Sequence, residues 1–335
     1  MNRADEDARD LRAGGEWTRL QRAKNDLIYG LSMLTLTASR VLPLLALRAL
    51  GRGLGAAAHA LAGKPRRTAL ANVRRVFPDM SEAARRAFVR RSFVTMGELL
   101  ADAVALLRPR GGPLLVLTPE ARALIDDARR EGRGVVFASA HLGPWERVAA
   151  SLVAAGVPLT TLARESYDPR FTRLYERLRG ARGVRVVWRS PAGAAGARGD
   201  ASAGTMAATV GIVRALRSGG VLGVPMDLRT RVPSCEVPFL GHPAATPMGP
   251  ARIALRTGAA VVVGTVAPSP DGAASLVITA TRIPTSGLDL HPDEAARDLT
   301  TRINRELSRR ILALPHAWVW MHERWTPSAV YDVFR

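Results

Sequence analysis

His141 and Glu146 are the residues whose types and spacing most directly allow chemistry. They stand in the run Val136-Phe-Ala-Ser-Ala-His141-Leu-Gly-Pro-Trp-Glu146. Nucleophilic attack by an alcohol needs its proton removed, and a neutral imidazole held by a carboxylate does that near neutral pH. The same spacing also fits a buried histidine that merely lies near a glutamate. What would position the pair is legible on either side of it. The β-branched and aromatic segment Gly134 to Ala140 reads as a buried strand that ends in the histidine. Pro144 falls where a helix begins, and Val148, Leu152 and Val153 continue at helical spacing.

The rest of the chain follows the same rhythm from about residue 112. Strands are predicted over 134–140, 157–163, 184–188, 220–226, 259–266 and 274–281. Helices are predicted over 119–131, 144–155, 168–180, 204–218, 247–257 and 292–312. Alternation of this kind implies an α/β fold with a mixed, mainly parallel sheet flanked by helices. Upstream, residues 66–108 read as two helices split at Pro78, the second opening with Ser81 and Glu82. Residues 191–204 are low in complexity and read as a mobile surface loop. No Gly-x-Gly-x-x-Gly or Walker-type loop is present, which argues against a nucleotide cofactor.

The chain has 335 residues, 47% of them hydrophobic, enough for one large domain with a substantial core. Its formal net charge is +19. Lysine occurs only at Lys24 and Lys64, so the rest of the 48 basic residues are arginine. Such a positive field suits phospholipid surfaces or acidic carrier proteins. Nucleic acid is the weaker fit, because the arginines are dispersed and no aromatic-rich recognition motif or zinc spacing accompanies them. The single cysteine, Cys235, excludes an internal disulfide and a cysteine-based metal cluster.

Three regions divide the chain: a polar tail at 1–24, an apolar helical segment at 25–63 and the remainder at 64–335. The uncharged run Leu27 to Ser39 is 13 residues, short of the roughly 20 that span a bilayer. With Arg40 and Pro43 tolerated, the apolar zone reaches Leu61 and fits a kinked hairpin or an interfacial helix pair. The basic run Lys64-Pro-Arg-Arg67 follows it, as expected beside an anionic cytoplasmic leaflet. This pattern is read as a membrane-associating zone, against the plainer reading of an amphipathic core helix.

A second group of segments looks built for the same site. Gly219-Gly-Val-Leu-Gly-Val-Pro-Met226-Asp227 reads as a buried strand ending in a carboxylate, or in a surface acid capping the next loop. Val237-Pro-Phe-Leu-Gly241-His-Pro-Ala-Ala-Thr246 reads as a loop with a small-residue tail leading into a helix at Pro247. Such an entry suits close approach of an anion or a thioester oxygen, and equally suits tight packing.

In this order the segments resemble the bacterial lysophospholipid acyltransferase family, in particular the lipid A late (lauroyl/myristoyl) acyltransferases. His141-Leu-Gly-Pro-Trp-Glu146 is similar to the family's H-x-x-x-x-[DE] motif. Ala69-Leu-Ala-Asn72-Val-Arg-Arg-Val-Phe77-Pro78 resembles its A-L-x-N-L-x-x-x-F-P segment, and the Asp227 strand its D-[QH] strand. Val237-Pro-Phe-Leu-Gly with Ala245-Thr246 resembles its V-P-F-F-G…A-T block. Pro315-His-Ala-Trp318-Val-Trp320-Met-His322-Glu-Arg324-Trp325 resembles its Trp-rich ending. The likeness spans about residues 25–327. It departs at Pro144, where asparagine is usual, at Leu228, where glutamine or histidine is usual, and at the 191–204 insertion.

The resemblance implies a glycerolipid acyltransferase-like fold at the cytoplasmic face of the cell inner membrane. It implies transfer of a fatty acyl group from acyl carrier protein or coenzyme A to a hydroxyl of a lipid A precursor or related glycolipid. No cofactor is implied beyond that co-substrate, and no metal. His141 would be the general base and Glu146 the carboxylate that orients it. Arg164, Arg177 and Arg189 would hold phosphate groups, with Asp227 and Thr246 also at the substrate. A phosphatidylinositol mannoside, an aminolipid or a lysophospholipid are alternative acceptors, and a non-catalytic lipid-binding homologue is a further reading. A hydrolase using Ser139 is disfavoured by the lack of a Gly-x-Ser-x-Gly elbow.

Overall fold

The computed structural model describes residues 16–108, 112, 114–166, 168–189, 201–230, 232–271, 275–287 and 291–325. Among the described residues four helices come first: α1 (Arg19–Ser39), α2 (Leu44–Leu61), α3 (Gly63–Val76) and α4 (Glu82–Ala105). Then strands and helices alternate: β1 (Val116–Leu117), α5 (Pro119–Arg130), β2 (Val135–Ser139), α6 (Trp145–Ala154), β3 (Leu159–Arg164), α7 (Pro169–Gly180), β4 (Arg185–Arg189), α8 (Ala201–Arg217) and β5 (Val221–Pro225). A hairpin of β6 (Ser234–Phe239) and β7 (His242–Pro247) precedes α9 (Gly249–Thr257), β8 (Ala260–Pro268), β9 (Leu276–Ile283), α10 (Pro292–Ala313) and a 3-10 turn at Pro315–Ala317.

Seven strands form one sheet in the order β1-β9-β8-β2-β5-β3-β4. Only β8 and β9 pair antiparallel; every other neighbour is parallel. The sheet is thus mixed and mainly parallel, as the alternation predicts. The central strands are buried on both faces: Val135, Val136, Phe137 and Ala138 of β2 and Val261, Val262 and Val263 of β8 are all within 2% of full burial. That explains why they read as unbroken apolar runs rather than alternating ones.

Two readings change. The segment 237–246, predicted as a loop, is the greater part of the β6–β7 hairpin, closed by the two-residue turn Leu240-Gly241 with both φ angles positive, 49° and 82°. Pro238 and Pro243 disguised the strands, since proline is rare within them, and Leu-Gly lacks the Asn-Gly turn signature. The Leu240 amide is held by Ser308 Oγ at 2.9 Å. The expected loop at 191–204 is the second: from Ala201 the chain is helical, and residues 190–200 lie outside the described residues. At the other end, α1 begins inside the expected polar tail. Thr18 and Gln21 form a reciprocal capping box there, at 3.0 and 3.3 Å.

The N-terminal helices are mounted on the domain by close backbone packing and buried charge. A Cβ on Gly97 of α4 would lie 2.0 Å from the Gly51 carbonyl oxygen of α2, and one on Gly55 would lie 2.3 Å from that of Phe93. Only glycine permits this approach. Buried Asp102 of α4 then accepts from Arg48 of α2 at 2.7 and 3.0 Å and from Arg147 of α6 at 2.9 Å. α1 meets α7 where the Arg170 guanidinium lies 4.6 Å from the Tyr29 ring centre and 2.7 Å from Asp26. Gly97→Val is expected to cost about 1–3 kcal/mol of stability by forcing α2 off α4. A denaturation midpoint equal to wild type would contradict this packing account.

Among the described residues, no helix is long and apolar enough to cross a membrane. Leu20, Leu27, Leu31 and Leu34 of α1 and Leu45, Leu50, Leu54 and Leu61 of α2 are nevertheless exposed.

Candidate active site

Strand β2 runs out at Ser139 and delivers His141 at the carboxyl edge of the sheet. Its parallel neighbour β5 pairs Pro225 with Ser139 and then delivers Asp227 beside His141. The Met226 amide extends the pairing by donating to the Ser139 carbonyl at 2.9 Å. Asp227 is fully buried. Its Oδ1 lies 3.0 Å from His141 Nδ1, and its Oδ2 accepts from the His141 amide at 2.8 Å and from Trp318 Nε1 at 2.8 Å. A carboxylate is an acceptor only, so Nδ1 carries the proton and the imidazole lone pair is on Nε2. The His141 side chain is 25% exposed, and its ring packs T-shaped with that of Trp145, centroids 5.2 Å apart.

The turn after His141 depends on Gly143. It has φ +60°, and a Cβ there would meet Val266 Cγ2 at 2.5 Å. Its amide donates to Ala317 at 2.9 Å, and Leu142 forms a β-bridge with Trp318. The turn and the C-terminal tail therefore fix each other.

Burial alone would push the His141 imidazole down. Asp227, by charge and hydrogen bond, and Glu146 by charge outweigh it against Arg179, so His141 is raised above its ordinary value. Burial pushes Asp227 up, but His141 and Trp318 outweigh it and the carboxyl is lowered. Glu146, in the first turn of α6, is buried and bonded by the Arg179 guanidinium of α7 through two contacts, at 2.8 and 3.2 Å. The group held against the imidazole is thus Asp227, and Glu146 contributes to His141 through its charge.

Asn72 of α3 sits behind the tail, donating to the carbonyls of Trp320 and His322 at 2.8 Å each. Arg324 donates to the Ala245 carbonyl at 2.5 Å and Thr246 Oγ1 at 2.8 Å. Every segment that carries the resemblance therefore packs around the sheet edge that holds His141. The profile of the bacterial lipid A biosynthesis acyltransferases matches residues 19–326. The chain belongs to that family. The family is made up of acyltransferases, and the chain is an O-acyltransferase of lipid A biosynthesis type. No curated protein matches it.

In this acyltransferase the other predicted site residues take different places. Asp227, predicted at the substrate, has both oxygens occupied by His141 and Trp318 and offers nothing to a ligand. Thr246 is likewise fully buried, its hydroxyl shared among Ala244, Asn304 and Arg324, so it anchors the tail to the hairpin. Arg177 is exposed on α7. Arg164 and Arg189 are register partners at the carboxyl ends of β3 and β4, the edge that carries His141. Sequence reasoning missed Arg179, although it closes the segment Glu176-Arg-Leu-Arg179, and it missed the part played by Trp318. Cys235 is buried, and its thiol is pushed up to about 11, chiefly by that burial, so it is inert at neutral pH. Among the described residues no group of three or more His, Cys, Asp or Glu is placed to hold a metal ion.

Proposed function

We propose that this acyltransferase moves a fatty acyl group from acyl carrier protein or coenzyme A to a hydroxyl of a lipid A precursor or related glycolipid, with His141 as general base and Asp227 as its carboxylate partner. The observation that carries the reading is the His141–Asp227 contact at a partly open sheet edge in a chain of this family. The acceptor hydroxyl gives its proton to His141 Nε2 as its oxygen attacks the thioester carbonyl. The carbon–sulfur bond breaks, and the departing thiolate takes the proton from the imidazolium. No acyl-enzyme is needed.

Glu146 supports this step in two ways. Its negative charge stabilises the imidazolium formed in transfer, and its double contact fixes Arg179 at the rim. Arg164 and Arg189, level with each other at the strand ends, are the residues we assign to phosphate groups of the lipid acceptor, where guanidinium geometry matches two oxygens at once. Attachment is interfacial at the inner membrane's cytoplasmic face: the exposed leucines of α1 and α2 enter the lipid, and exposed Arg67 of the basic run Lys64-Pro-Arg-Arg67 meets anionic headgroups.

Mass spectrometry of lipid A from a deletion strain tests the acceptor. Loss of one acyl chain is expected. An unchanged lipid A, with an acyl chain lost from another glycolipid, an aminolipid or a phospholipid, would replace this acceptor.

A further inference from the structure

We propose that Trp318, in the C-terminal tail, is a positioning residue that sets the proton affinity of the His141–Asp227 pair. The proposal rests on the acyl-transfer reading above.

Three N–H groups donate to Asp227. Two belong to His141 itself, its amide and its ring. The third is the indole Nε1–H of Trp318, which reaches Oδ2 at 2.8 Å from 91 positions away. Trp318 is fully buried, so this contact is shielded from water. The indole is also held on several sides. The Trp318 backbone bridges Leu142, next to His141. Asn72 clamps the carbonyls of Trp320 and His322. His322 Nε2 accepts from the Arg229 amide at 3.0 Å, tying the tail to the loop just beyond Asp227. Trp318 is therefore fixed relative to both partners of the pair.

A donor aimed at a carboxylate stabilises it most when its charge is uncompensated. For Asp227 that is the state in which His141 is neutral. When His141 is protonated, the imidazolium already satisfies much of the carboxylate's field, and the indole contributes less. The indole thus favours the neutral, basic imidazole. Without it the pair binds its proton more tightly, and His141 stays protonated to higher pH. Among the described residues the other charged or titratable groups acting on the pair are Glu146, Arg179, His322 and Arg324, and a change confined to the indole nitrogen leaves them in place.

Trp318 also packs against Trp320 and Phe239, with ring centres at 4.9 and 5.7 Å, so the test must separate packing from the N–H. Trp318→Phe removes the donor and keeps an aromatic ring. Substitution of Trp318 by benzothienylalanine replaces the N–H by sulfur at nearly constant shape, and covers the case in which the phenylalanine protein does not fold. Two quantities are read: kcat/KM for acyl transfer against pH, and the titration of the His141 ring by NMR.

In both variants the acid limb and the His141 titration are expected to move up by on the order of one pH unit. The rate should recover at alkaline pH. A rate lowered equally at every pH, with the His141 titration unmoved, would overturn the proposal and leave Trp318 a packing residue. Should the wild-type enzyme transfer no acyl group, the acyl-transfer reading fails, while the His141 titration still decides what the indole does.

Discussion

His141→Ala is expected to lower acyl transfer by about 10²–10⁴-fold, the contribution of a positioned general base, while the protein stays folded. The fold survives because the replacement does not strand a charge. Asp227 keeps the residue 141 amide at 2.8 Å and the Trp318 indole at 2.8 Å, and the place of the ring, already a quarter exposed, admits water. The residual rate comes from binding and orientation alone, so KM for the lipid should change little. Steady-state kinetics with a thermal melt separates these effects. Activity within threefold of wild type would remove His141 from the mechanism.

The second large effect is at Asp227. Asp227→Asn preserves size and places one carbonyl and one amide where two carboxylate oxygens stood. Two N–H groups converge on Oδ2 and one on Oδ1. The amide carbonyl satisfies most by taking the Oδ2 place, which turns the –NH₂ toward His141 Nδ1. That nitrogen must then accept, its proton moves to Nε2, and the nitrogen facing the acceptor hydroxyl loses its lone pair. A loss on the order of 10³–10⁴-fold in kcat is expected from this tautomer reversal.

The pH dependence has a defined sign. His141 is raised because the Asp227 carboxylate overcomes burial. In Asp227→Asn burial prevails, so the acid limb of the residual activity should fall below that of wild type, opposite to the upward shift expected for Trp318→Phe. A limb unmoved in Asp227→Asn would mean that the carboxylate does not act on the base.

The elements around the site were legible because each carries a local signal. β2 and β8 are apolar runs, α4 opens at Ser81 with a side-chain cap, and α10 begins at Pro292. His141 was legible for the same reason, standing between a strand and a helix entry. Its partner was not. Spacing favoured Glu146, the nearest carboxylate in the chain, but β2 and β5 are parallel neighbours, and parallel pairing brings Asp227 alongside from 86 residues away. Only strand order reveals that contact, and strand order is not written in periodicity. The same limit hid Arg179, which reaches Glu146 from α7, the next helix after β3, and Trp318, which reaches Asp227 from the end of the chain. The hairpin at 234–247 was lost for a local reason, the prolines within both of its strands.

Asp227 and Thr246 show how a resemblance carries position better than role. Both stand in matching segments, and both are buried among protein donors and acceptors rather than presented to a ligand. Asn72 is the converse. Its segment matched without a stated purpose, and its amide proves to clamp the tail that supports the base.

The most direct test of the central claim follows the acyl group itself. Purified enzyme is given a labelled acyl thioester and a lipid A precursor, alongside the His141→Ala and Asp227→Asn variants, across a range of pH. The account predicts ester-linked label in the lipid for wild type, rising with pH through a midpoint above the ordinary histidine value of about 6.5, and label accumulating at least about a hundredfold more slowly with either variant. Label recovered solely as free fatty acid, or lipid labelled at the wild-type rate by the His141→Ala variant, would contradict it.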